Sequence, residues 1–170
     1  MPQSLTFHEP ISVEHAVGLL AEYGTDAKVV AGATALTIML RNRLIAPRAL
    51  VSLGRIQDGL RTIGEEDGAL VLGALVTHRE VERSPLVRAR IPVLAETFAT
   101  VANVRVRNVA TVGGVVAEAD YASDPPAVLL ALDALIEAQG PSGLRRIPAS
   151  EFFRGFYETA LAPNEVVTAV

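Results

Sequence analysis

The chain has 170 residues, half of them apolar and a fifth charged, with a net charge of −4. That composition is globular, and a chain of this length buries enough surface for a real core, which has to be aliphatic because there is no Trp and little Phe or Tyr. The lack of Cys excludes disulfides, thiolate nucleophiles, Cys-ligated zinc and iron–sulfur ligation by these residues, and the scattered Lys and Arg form no stripe suited to nucleic acid.

The opening "MPQSLTFHEP" has neither a basic n-region nor an apolar h-region, so no signal peptide is expected. No apolar run reaches the length of a membrane helix, and a soluble, cytoplasmic protein is expected. Ser12 is placed as an N-cap, with Val13, Ala16, Val17 and Leu20 at helical spacing and Gly24 as the stop. "AKVVAG" (Ala27–Gly32) reads as a short buried strand, "TALTIMLRNRL" as a helix, and "ALVSL" (Ala49–Leu53) as a second strand. Strand, turn, helix and strand in about thirty residues predict a βαβ unit with parallel strands over residues 1–55.

From Arg55 the texture changes. "LRTIGEEDGALVLGA" predicts a hairpin turning at Asp67-Gly68. Thr77 with Glu80 makes a capping box that opens a helix, and Pro85 and Pro92 mark further boundaries before a helix over Pro92–Val101. "PPAVLLALDALIEAQGPSGLRRIPASEFF" predicts helix, strand, turn, strand and a capped helix. "LAPNEVVTAV" predicts a strand at Glu165–Val170, where the sequence stops; a further domain beyond it is expected, the alternative being the last strand of the sheet. The predicted second unit, residues 56–170, is α+β with a mainly antiparallel sheet.

Two segments have the make-up of phosphate loops. Ala31-Gly32-Ala33-Thr34-Ala35-Leu36 stands where a strand hands over to a helix, whose N-terminus offers unpaired N–H groups. Thr111-Val112-Gly113-Gly114 has two residues free to take positive φ and to expose successive N–H groups as a nest. A plain turn is the alternative for each. No P-loop, no G-x-G-x-x-G after a strand and no G-x-S-x-G occurs, so no catalytic residue is assigned and any chemistry falls to a cofactor. His8, His15 and His78 lack metal-ligand spacing, and no metal site is assigned.

"KVVAGATALTIMLRNRLIAPRALVSL", "LVLGALVTHREVE", "VRVRNVATVGGVVAEADYASDPPAVLLALDA" and "FFRGFYETALAPNEVVTAV" resemble, in that order, the FAD-binding medium subunit of molybdenum hydroxylases, a family that includes carbon monoxide and xanthine dehydrogenases. The resemblance implies an α+β fold of the vanillyl-alcohol-oxidase/PCMH type, with a small N-terminal α/β subdomain, a larger α+β subdomain and FAD between them. It implies that Ala31, Gly32, Ala33, Thr34, Ala35 and Leu36, matching A-G-G-[T/H/Q]-x-L, wrap the FAD pyrophosphate. Thr111, Gly113 and Gly114, matching T-[I/V]-G-G-N, would supply opposing contacts. Asp124 would bond the ribityl hydroxyls, Glu118 would lie near the cofactor, and Gly73–His78 would pass the flavin side, with Thr77 a capping residue first and a cofactor contact second.

The implied partners are a molybdopterin-binding large subunit and a small subunit with two [2Fe–2S] clusters. The flavin would pass electrons from these to NAD+, a quinone or oxygen, and the large subunit would choose the substrate. The sequence departs from the family pattern at Ala33, where a methyl is strained only if φ is positive, and at Val115, where the pattern's Asn would donate and accept in the cleft, and the family's C-terminal domain is absent from these 170 residues. Those departures keep a second reading open, a non-catalytic assembly module of the same fold that has lost FAD; against a third, a stand-alone flavin oxidase of the same fold, stand the lack of a Cys for covalent flavin and a chain short for its own substrate domain.

Overall fold

The computed structural model describes residues 5–57 and 59–170. Its first part runs β1 (Thr6–His8), α1 (Val13–Tyr23), β2 (Ala27–Val30), α2 (Thr34–Arg41) and β3 (Ala49–Ser52). Ser12 caps α1 as expected, its hydroxyl accepting from the His15 N–H at 3.2 Å, and Gly24 ends the helix at φ 56°. Val13, Ala16, Val17 and Leu20 are all buried on one face. β2 and β3 pair in parallel, as the βαβ pattern requires.

The strand at Thr6–His8 was not predicted. It is three residues long and largely exposed, so no alternation betrays it. Its pairing is with β3, more than forty residues away, and gives the parallel order β1-β3-β2. The core under this sheet joins α1 and β3 to Leu53, Ile56, Leu60, Leu75 and Val166. Packing therefore continues past the expected boundary near residue 55.

The second part begins with the hairpin β4 (Ile63–Glu66) and β5 (Ala69–Leu72), whose Asp67 and Gly68 take φ 50° and 82° as a tight hairpin turn demands. Helices α3 (His78–Arg83), α4 (Pro85–Arg90) and α5 (Pro92–Thr100) follow, the last two each starting on a proline. After α6 (Val104–Arg107), α7 (Val112–Glu118) and α8 (Asp124–Ala131) come β6 (Leu135–Gly140), β7 (Gly143–Pro148), α9 (Ala149–Phe152), β8 (Phe153–Gly155), β9 (Glu158–Thr159) and β10 (Val166–Ala169). The capped helix expected after β7 is one turn with no side-chain cap.

β10, β6 and β7 form an antiparallel sheet with β6 in the centre. The hairpin is joined to its edge, since Leu72 and Val170 exchange backbone bonds of 2.7 and 2.9 Å and Ala74 N–H donates to Thr168 at 2.9 Å. Phe98, Phe152, Leu129 and Ile136, each almost without exposure, anchor the larger core between this sheet and the helices. Among the described residues no helix is long and apolar enough to cross a membrane.

Candidate functional site

The segment Ala31–Leu36 links the end of β2 to α2 and rests directly on backbone. A Cβ on Gly32 would stand 1.9 Å from the Val109 carbonyl oxygen and 2.9 Å from the Ala110 Cα, so only glycine permits this approach. Ala33 follows in the left-handed region at φ 56°, ψ 13°, and serves as the N-cap of α2 without a side-chain bond. The N–H groups of Gly32, Ala33, Thr34, Ala35 and Leu36 have no acceptor among the described residues. A run of unpaired N–H groups at the positive end of a two-turn helix is a site for an oxyanion.

The second segment differs from expectation. Gly113 and Gly114 have no positive φ; they form the first turn of α7, which Thr111 caps by accepting the Gly114 N–H at 3.1 Å. Its donors are already engaged: Val112 N–H meets Val76 O at 2.9 Å and Gly113 N–H meets Ala74 O at 2.8 Å. The bare Cα of Gly113 serves packing, because a Cβ there would stand 2.6 Å from the Cβ of Ala74. This segment is a wall and not an anion nest.

The two segments meet through a third. Thr77 bridges Thr111, and His78 N–H donates to Ala110 O at 2.9 Å. Thus Gly32 lies on Val109 and Ala110, while Ala110 and Thr111 are bonded to His78 and Thr77. His78 is 2% exposed, with its Nε2 3.2 Å from Thr111 O and its ring edge-on to Phe98 at 4.8 Å. The neutral Nε2–H tautomer donates to that carbonyl and leaves Nδ1 buried without a partner. Burial, and secondarily the Arg107 charge, holds its pKa down to about 4, although the Thr111 carbonyl acts the other way.

The other expected positions do not gather with these segments into one site. Glu118 ends α7 half-buried, its carboxyl raised above the usual range by burial and then by Asp120. Asp120 is held in turn by the Tyr157 hydroxyl at 3.1 Å. Asp124 starts α8, exposed, and lines a groove with Val93, Glu96, Thr97 and Thr100, which none of the residues 31–36 lines. Val115, where an amide side chain was expected to face the cleft, is buried in the larger core. Thr77 makes the predicted capping box, its N–H and hydroxyl both donating to Glu80 Oε2 at 2.7 Å.

Sequence reasoning passed over His78 as a structural link, and over a groove lined by Arg61, Arg79 and Arg83. The four-residue spacing of Arg79 and Arg83 on a helix was the available signal for the groove. Among the described residues no cluster of metal-binding side chains occurs.

The family described as "FAD binding domain in molybdopterin dehydrogenase" matches residues 3–170. The carbon monoxide dehydrogenase medium chain of Hydrogenophaga pseudoflava is 39% identical over 170 residues, which cover all of this chain and 59% of that one. Subunit alpha of the 6-hydroxypseudooxynicotine dehydrogenase complex of Paenarthrobacter nicotinovorans is 38% identical over 99% of this chain and 57% of its own. Among solved structures, carbon monoxide dehydrogenase from Hydrogenophaga pseudoflava lacking the Mo-pyranopterin moiety superposes with a TM-score of 0.95 at 40% identity, covering 99% of this chain and 58% of that one. Quinoline 2-oxidoreductase from Pseudomonas putida 86 gives 0.93 at 32%, covering 98% and 57%. The chain spans a little under three-fifths of the length of these relatives.

Proposed function

The chain belongs to the family of FAD-binding domains of molybdopterin dehydrogenases, and from that premise we propose that it binds FAD as part of the medium subunit of a multi-subunit molybdenum hydroxylase. The observation that carries the reading is the loop Gly32–Leu36. Five consecutive N–H groups lack acceptors there, and Gly32 admits the close backbone contact that sets the loop's position. A pyrophosphate fits such a donor set.

In this reading Gly32–Leu36 hold the pyrophosphate, with Thr34 adding a hydroxyl donor. Thr111, Gly113 and Gly114 act by building the wall against which that loop is set. Glu118 and Asp124 are proposed contacts on the ribityl and flavin side; a carboxylate is the natural acceptor for ribityl hydroxyls. When bound, the flavin supplies the electron transfer, from [2Fe–2S] clusters of a small subunit toward NAD+, a quinone or oxygen. No proton-transferring residue of this chain is required. A molybdopterin-binding large subunit is the other proposed partner.

The test is direct: the purified chain is mixed with FAD, separated from free flavin, and its visible absorbance measured. Retained flavin supports the reading. The occupied N–H groups at Val112–Gly114 favour the second reading, an assembly module without flavin. That reading requires a chain that stays colourless with FAD yet still joins its partner subunits.

A further inference from the structure

Beside the two loops lies an open groove of about 660 Å³, lined by Arg61, Ile63, Thr77, Arg79, Glu80, Arg83, Ser84 and Asn108. We propose that it binds a phosphate group of a nucleotide. Three guanidinium groups line it in a chain whose net charge is −4. The single carboxylate of the lining, Glu80, is engaged by the Thr77 cap. Arg79 pairs with Glu82, a carboxylate that also accepts from Arg107 Nε at 3.0 Å, so two guanidiniums share one anion. Among the described residues Arg83 has no carboxylate within ion-pair distance.

The chemistry of the lining selects the ligand class. Each guanidinium presents a planar fork that matches two oxygens of a carboxylate or phosphate. A carboxylate has only two oxygens, whereas three arginines with the Ser84 hydroxyl and the Asn108 amide suit a group with more acceptors and more charge. The groove's volume falls within the range of small-molecule sites and exceeds what inorganic phosphate would fill.

Position adds a second argument. Asn108 immediately precedes Val109, the residue on which Gly32 rests, and Thr77 pairs with Thr111. The groove thus opens at the edge of the stacked segments. The FAD proposed above has its pyrophosphate at Gly32–Leu36, none of which lines the groove, so the groove's phosphate is that of a second nucleotide. The chemistry of the groove itself stands without the flavin reading.

The experiment titrates ADP into the full chain by calorimetry, first without FAD and then with FAD in excess. Wild type is compared with Arg61→Gln, Arg83→Gln and, as a control outside the groove, Arg154→Gln, with circular dichroism confirming that each is folded. ADP is expected to bind the FAD-free chain, and each groove variant to weaken it by about tenfold or more, the scale of a charge-assisted hydrogen bond. Arg154→Gln should leave it unchanged. ADP binding that persists in excess FAD assigns the groove to a second nucleotide. Displacement of ADP by FAD, with FAD affinity also reduced in the two variants, overturns it, because the groove then holds the flavin's own phosphates. No ADP binding by wild type, or equal binding by wild type and both groove variants, overturns the proposal, whether or not the chain takes up flavin.

Discussion

Ala33 holds a left-handed backbone in the loop proposed for the pyrophosphate, with φ 56° and a Cβ that disfavours it. The resemblance predicts glycine there, and positive φ is the reason a glycine suits. An L-residue in this region costs about 1–2 kcal/mol, offset in part by the greater freedom glycine has when unfolded. Ala33→Gly should therefore stabilise the chain by about 1 kcal/mol, raising the melting temperature by roughly 2–4 °C. A thermal melt of the two proteins checks this, and a lower melting temperature for the glycine variant would contradict the assigned conformation. The sequence alone named Ala33 as a departure but left its strain conditional on the sign of φ. Val115 is the opposite case. It looked like the loss of a polar contact, and the structure puts it in the core, where valine is an ordinary residue.

Between elements, the decisive contact is the one that ties α3 to the start of α7. His78 holds the Thr111 carbonyl while its own Nδ1 stays unpaired and buried. A proton there would be an uncompensated charge in the core, so the folded state resists it down to pH about 4, whereas the unfolded chain accepts it near pH 6.5. Both states are neutral at His78 above that range. As pH falls from 6.5 towards 4, only the unfolded state gains the proton and stability is lost, by about 3 kcal/mol over the whole window. Denaturation measured at pH 7 and pH 4.5 should show this loss in wild type and much less of it in His78→Gln, which keeps a donor but does not titrate. Equal acid sensitivity in both would contradict the role.

At this same scale the sequence was legible wherever the signal was local. Ser12 and Thr77 capped their helices, Asp67-Gly68 turned its hairpin, and the prolines opened α4 and α5, because each depends on neighbours within a few residues. What escaped depends on partners far along the chain. β1 exists only through β3, and Gly113 is glycine because Ala74 lies against it. Two adjacent glycines say that bulk is excluded; they do not say whether the excluded space is filled by a phosphate or by the protein's own backbone. At Gly32 the strand-to-helix handover itself was legible, because it depends on neighbours within a few residues.

For the molecule as a whole, the pyrophosphate of FAD is proposed at the N-terminus of α2, a helix with no fully buried residue whose first three N–H groups lack acceptors. Thr34→Glu tests this most directly. A carboxylate in the first turn of a helix favours the fold through the helix dipole, by about 0.3–1 kcal/mol, yet it puts like charge where the phosphates are to sit. Titration of FAD into wild type and Thr34→Glu, followed by flavin fluorescence with a thermal melt of each free protein, is the measurement. Wild type is expected to bind FAD, while Thr34→Glu melts no lower than wild type and binds FAD at least tenfold more weakly. Equal FAD affinity in the two proteins, or no uptake of FAD by wild type, would contradict it.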